Sequence, residues 1–280
     1  MRARNRWFGA ALPALTLALV LVGAACCGDI PPPYTPPDEA TPAPAEAAAA
    51  AAPGFHPREV TIGPDALPAT FTAPDDGPAR PAVILLHQLG STRAEWETTG
   101  IIQRLNARGV VTLALDMRGH GEPPAGGKEQ GAFGDADWDK VPHDVADAVA
   151  WLADQPVVDS GQVRLIGSSI GANACLLAFH DNTRLNGLVL LSPGLPAYRS
   201  LNIEQAMELN LGRPVLIVAS VTDSHRAEDA RTLAQASPSV QTTIVPGGRH
   251  GVSMLDTDAL RDAVVDLLAE PPAPNLPTSP

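Results

Sequence analysis

The chain is poor in cysteine, in positive charge and in long apolar runs. Of its three cysteines, Cys26 and Cys27 adjoin an N-terminal leader, which leaves Cys175 alone in the remainder. One cysteine cannot build a disulfide framework. Its neighbours Ala174, Leu176 and Leu177 are apolar, so Cys175 reads as a small buried hydrophobe and is assigned no chemistry. Basic side chains number 19 against 31 acidic ones, and the net charge of -12 repels nucleic-acid phosphates and anionic membrane surfaces. That balance excludes a nucleic-acid partner. The apolar stretch from Phe8 to Val22 is interrupted by Pro13 and falls short of the roughly 20 residues a membrane-spanning helix needs. There is no internal repeat and no G-x-G-x-x-G fingerprint for a nicotinamide cofactor. No cofactor is expected. His120, His143 and Asp144 lack a zinc-ligand spacing, so no metal site is expected either.

What is present begins with that leader. Arg2, Arg4 and Arg6 precede the apolar stretch, and Gly23-Ala24-Ala25 follows it, the layout of a secretory signal peptide over residues 1–25. Small residues directly before Cys26 resemble a bacterial lipobox, in which the cysteine becomes the lipidated first residue. Cys27 is a second candidate, and simple secretion is the alternative. The resemblance implies an exported protein held on an envelope membrane through Cys26. Residues 26–55, with Pro31-Pro32-Pro33, Pro36-Pro37 and an alanine run to Ala52, have no periodic apolar face and read as a semi-rigid tether.

From residue 56 to 270 the texture is that of one domain of ordinary size. Apolar runs at Ala82 to Leu86, Val110 to Leu115, Val163 to Ile166, Leu188 to Leu191, Val215 to Ala219 and Thr242 to Val245 suit strands buried on both faces. Two earlier strands, Arg58 to Ile62 and Ala66 to Thr72, are expected to form an edge hairpin. Helices are expected over Ala94 to Arg108, Asp144 to Ala153, Ala172 to Phe179, Ala227 to Ala236 and Asp256 to Ala269. This alternation predicts an α/β fold with a mostly parallel sheet of about eight strands flanked by helices. Gly109 is placed to end the first helix, and Pro271 opens a loose tail, 271–280. Between Leu191 and Val215 there is room for one short helix, Ile203 to Leu209, and not for a large cap domain.

The motifs follow in order. Gly167-Ser168-Ser169-Ile170-Gly171 matches G-x-S-x-G between an apolar run and a helical stretch. Such a turn projects Ser169 into a site and aims a helix N-terminus at any anion formed there. Ser168 lacks the flanking glycines at the required spacing. His87-Gln88-Leu89-Gly90 ends the first buried run, Asp116-Met117-Arg118-Gly119-His120-Gly121 the second, and His250 sits in the glycine-rich Pro246-Gly247-Gly248-Arg249-His250-Gly251.

Together these four ordered motifs, spread over about Pro81 to Ala269, resemble the serine α/β-hydrolases. The resemblance implies an α/β-hydrolase fold and a triad in the order Ser, Asp or Glu, His, with Ser169 as nucleophile and His250 as base. Asp223, at the end of the next-to-last run, is the preferred acid, with Glu228 and Asp229 as helical rivals; His225 is expected beside that loop. By the H-G-x-G resemblance, the amides of Leu89 and Ile170 form the oxyanion hole, Gln88 standing where the family has glycine, and His87 is structural. The implied activity is hydrolysis of a small-molecule carboxylic ester through an acyl-enzyme, with thioesterase or peptidase activity using the same residues. The competing reading is a catalytically inactive surface lipoprotein that binds or scaffolds.

Overall fold

The computed structural model describes residues 54–195, 198–204, 206 and 212–270. The expected leader, nearly all of the tether, Cys26 and Cys27, the tail and most of the expected short helix Ile203 to Leu209 lie outside the described residues.

Eight strands form one sheet: β1 (His56–Ile62), β2 (Leu67–Ala73), β3 (Arg80–Leu86), β4 (Val111–Leu115), β5 (Val158–Ser168), β6 (Leu185–Leu191), β7 (Val215–Ser220) and β8 (Val240–Val245). Their spatial order is β1-β2-β4-β3-β5-β6-β7-β8. β1 and β2 are the expected antiparallel edge hairpin, β2 pairs antiparallel with β4, and every other neighbour is parallel. The helices are α1 (Ala94–Glu97), α2 (Ile101–Ala107), α3 (Asp135–Trp138), α4 (Val141–Ala153), α5 (Ile170–Asp181), α6 (Arg226–Ala234) and α7 (Asp258–Ala269).

Alternation along β3 shows why the strand sequences are continuously apolar. Ala82, Ile84 and Leu86 pack with α4, α5 and α6 on one face, while Val83 and Leu85 pack with α1, α2 and α7 on the other. Strands covered by helices on both sides have no solvent face to make polar. Cys175 is fully buried in the first of these cores, and burial pushes its thiol pKa up, so it behaves as a hydrophobe.

Two expectations are corrected. The single helix Ala94 to Arg108 is two helices, because Gly100 adopts φ 72° and the Thr99 hydroxyl donates to Trp96 O and accepts from Ile101 N. A hydroxyl that satisfies the backbone locally competes with the helical ladder. The break lets Trp96 and Ile101 both reach the same core. β5 begins five residues before its apolar run, at Val158, since its first half is polar and partly exposed. Gly109 ends α2 in the left-handed region (φ 78°) as expected, with its amide on Asn106 O.

Loops at the carboxyl edge of the sheet are fixed by buried charge. Arg118, after β4, donates through Nε to Asp144 of α4 at 2.7 Å and pairs also with Asp65. Asp116 accepts from the amide and guanidinium of Arg93. Between β6 and β7, residues 192–214 are too few for a large cap.

Candidate active site

The Ser169 position is built by steric necessity. Ser169 follows β5 with φ 54° and ψ -115° and caps α5, its amide donating to Leu191 O at 2.8 Å. A Cβ on Gly171 would lie 2.5 Å from His87 O and 2.6 Å from Leu86 O, and one on Gly167 would lie 2.6 Å from Ala172 N. Both flanking glycines are therefore required for α5 to start hard against β3 and β5. The serine is held in a region that costs about 1 to 3 kcal/mol for a non-glycine residue, which the surrounding ladder must over-determine.

Asp223 lies after β7 and His250 after β8. Nδ1 of His250 is 2.7 Å from Oδ2 of Asp223, and the carboxylate also accepts from Ser192 Oγ at 2.8 Å. The acid side chain is 12% exposed and the imidazole 37%. A carboxylate accepting at Nδ1 keeps that nitrogen protonated and leaves Nε2 with the lone pair a base requires. The rivals are not so placed: Glu228 is exposed, and Asp229 pairs with Arg226 on α6. His225 is exposed, 81% by side chain.

Among the described residues no hydrogen bond joins the Ser169 hydroxyl to His250. The two loops are nevertheless in contact, because Val252 N donates to Oγ of Ser168 at 3.2 Å and a Cβ on Gly251 would collide with that same oxygen. Catalytic hydrogen bonds often tighten only when substrate binds.

Leu89 and Ile170 leave the ends of neighbouring strands, since Leu86 pairs with Gly167 in the β3–β5 register. The loop carrying Leu89 is fixed at three points. Gln88 N donates to Glu95 Oε1 at 3.0 Å, His87 Nδ1 lies 2.8 Å from Gln88 O, and Gln88 Oε1 accepts from Ser168 Oγ at 3.4 Å. Burial holds the Glu95 carboxyl above its usual pKa. His87 is structural, as expected: Met117 N donates to its Nε2 at 2.9 Å, which ties the Leu89 loop to the Asp116 segment. Burial lowers its pKa to about 4, with the neighbouring His120 and Arg93 pushing the same way against the bond to Gln88. Ser192 carries no motif in the sequence and Ser168 lacks flanking glycines; the one signal available for them is that β5, β6 and β7 each run into a serine. A surface hollow between α4 and α5, lined by His143, Val149, Ala178 and Leu185, contains none of these residues.

A family model described as serine aminopeptidase, S33, matches residues 77–225, more than half of the chain. The chain belongs to this family. The matched span includes Ser169 and Asp223 and stops before His250. Over 133 residues the S33 chain is 32% identical to dipeptidyl aminopeptidase BIII of Pseudoxanthomonas mexicana, covering 45% of this chain and 19% of that enzyme. The chain spans between 19% and 62% of the lengths of the curated relatives it matches. An esterase of Pyrococcus furiosus superposes with a TM-score of 0.58 at 21% identity, over 76% of this chain and 89% of that one. A putative dienelactone hydrolase of Klebsiella pneumoniae gives 0.61 at 17% identity, over 78% and 99%. The expected α/β-hydrolase fold is thus the fold of this S33 chain.

Folding takes His87 from an ordinary pKa of 6.5 to about 4. Between those values the unfolded chain binds the proton and the folded chain does not, so stability is complete above pH 6.5 and declines as pH falls toward 4. Urea unfolding of the wild type relative to His87→Gln should show a loss of about 3 kcal/mol across that window. A pH-independent difference would show that His87 is not held neutral.

Proposed function

We propose that this chain is a serine hydrolase that cleaves the carboxylic ester of a small molecule, with Ser169 as nucleophile, His250 as base, Asp223 as acid and the Leu89 and Ile170 amides as oxyanion donors. The observation that carries the reading is the 2.7 Å bond between His250 Nδ1 and a mostly buried Asp223 carboxylate, one loop away from a serine held on a glycine-flanked elbow.

In this mechanism His250 Nε2 takes the Ser169 proton as Oγ attacks the carbonyl carbon, and the carbonyl electron pair moves onto oxygen. Two backbone N–H groups stabilise that oxyanion, each worth about 3 to 4 kcal/mol in a site of this kind. The tetrahedral species collapses, the alkoxide leaves with the proton from His250, and the acyl group stays on Ser169. His250 then takes a proton from water as that water attacks the acyl carbonyl, and returns it to Ser169 Oγ as the second tetrahedral species expels the carboxylic acid. Asp223 stabilises the imidazolium throughout and stays ionised.

Ester cleavage is preferred over the peptidase chemistry named in the family description because, among the described residues, no large cap covers the carboxyl edge of the sheet. Purified protein should hydrolyse p-nitrophenyl acetate and butyrate faster than aminoacyl p-nitroanilides, and Ser169→Ala should lower turnover at least about a thousand-fold. Faster anilide cleavage would move the assignment to a peptidase. Wild-type inactivity toward both, over a broad range of acyl groups, would favour the inactive binding lipoprotein.

Residues 1–25 are proposed to direct export and Cys26 to carry the lipid that holds the domain on a bacterial envelope membrane. The support is the arginine-led apolar leader, the small residues before Cys26 and the proline-rich stretch after it. Mass spectrometry of the mature protein from a bacterial host should find an N-terminal peptide beginning at Cys26 with an acylated thioether. An unmodified N-terminus at any other residue contradicts the proposal.

A further inference from the structure

Three serines stand side by side at the carboxyl ends of three adjacent parallel strands. Ser168 ends β5, Ser192 follows β6 and Ser220 ends β7, and all three are fully buried. The ladder brings them to one edge in a stagger of one residue per strand: Ser168 pairs with Leu191, the residue before Ser192, and Leu191 pairs with Val218, two residues before Ser220.

Each hydroxyl binds a different peptide group of the His250 loop. Ser220 Oγ donates to Arg249 O at 2.7 Å, Ser192 Oγ accepts from Gly251 N at 3.0 Å, and Ser168 Oγ accepts from Val252 N at 3.2 Å. His250 is thus bracketed on both sides along the chain. Because Ser192 and Ser168 accept those amides, their own protons are free to be donated elsewhere. They go to Asp223 Oδ2 at 2.8 Å and to Gln88 Oε1 at 3.4 Å. One row therefore connects the acid, the base loop, the residue before the nucleophile and the proposed oxyanion loop. Gly251, at φ 57°, is the residue that lets the chain come down onto it: a Cβ there would collide with Ser168 Oγ and lie 2.6 Å from Gln88 Oε1.

Resting on the serine-hydrolase reading above, we propose that Ser168, Ser192 and Ser220 are positioning residues that together hold the His250 imidazole in register with Ser169 and Asp223. None of them touches substrate. A hydroxyl offers one donor and two acceptor sites in a volume small enough for a strand end. Serine is therefore suited to take one loop amide and pass a proton on, while a buried amide left without a partner would work against the loop's position. Ser192 sits at φ 52°, a conformation that favours glycine. Ser192→Gly consequently removes the hydroxyl while easing the backbone, which separates positioning from stability.

The test uses p-nitrophenyl butyrate turnover by the full chain. Ser192→Gly should lower kcat about 10- to 100-fold, the effect of losing a hydrogen bond to a charged group, with KM changed less than about three-fold. Ser168→Ala and Ser220→Ala should each lower kcat by about five-fold, as loss of a neutral hydrogen bond does. The same changes made in a His250→Ala background should have no further effect, because residues that act through one group are not additive. Folded variants with wild-type kcat overturn the proposal, as do losses of equal size with and without His250. Failure of all three variants to fold assigns the row to stability alone and overturns it too. A wild-type rate in Ser169→Ala would instead overturn the hydrolase reading, whatever the serine row does.

Discussion

The hydrogen bond between His250 Nδ1 and the Asp223 carboxylate is the constraint around which the carboxyl edge of the sheet is arranged. A carboxylate only 12% exposed needs donors, and it has two, the imidazole and Ser192 Oγ. Removing a charge from water is costly unless hydrogen bonds replace the lost solvent. Asp223 therefore fixes the tautomer of His250, and His250 and Ser192 together make the buried carboxylate tolerable. Ser220, Ser192 and Ser168 hold the loop that carries the imidazole partner of this bond.

The strain in the molecule is concentrated at the same edge. Ser169, Ser192 and Ser224 are non-glycine residues with φ of 54°, 52° and 49°, and they follow β5, β6 and β7. Parallel strands with continuous ladders supply the rigidity that holds such conformations, and the two helical layers bury both faces beneath them. The loops after β3 and β4 are fixed by different means. There His87 stays neutral between Gln88 and Met117, Glu95 takes the Gln88 amide, and Arg118 pairs with Asp144 in a buried ion pair whose separation would strand a charge. The Leu89 loop is thus held by polar side chains where the Ser169 turn is held by glycine contacts and backbone.

Much of this architecture is legible in the amino-acid sequence because burial on both faces forces long apolar runs, and each such run proved to be a strand. The elbow was legible for a steric reason, since Gly167 and Gly171 tolerate no side chain. The break between α1 and α2 was not, because Ala94 to Arg108 has good helical periodicity and only the local competition of Thr99 interrupts it. The first half of β5 was hidden by its polar residues Asp159, Ser160 and Gln162. Asp223 could be ranked above Glu228 and Asp229 by its place at a strand end, while its pairing with His250 needed coordinates. The serine row is not legible for a different reason: serine after an apolar run is also an ordinary loop residue, and only the spatial adjacency of β5, β6 and β7 brings the three together.

The proposed chemistry requires this arrangement to make one serine hydroxyl abnormally nucleophilic. Reaction of the native protein with a fluorophosphonate probe, followed by peptide mapping, measures that property without knowledge of the substrate. Labelling should be rapid, stoichiometric and confined to Ser169, and lost on heat denaturation and in His250→Ala. Labelling elsewhere, or labelling of Ser169 no faster than in the denatured chain, would contradict that chemistry.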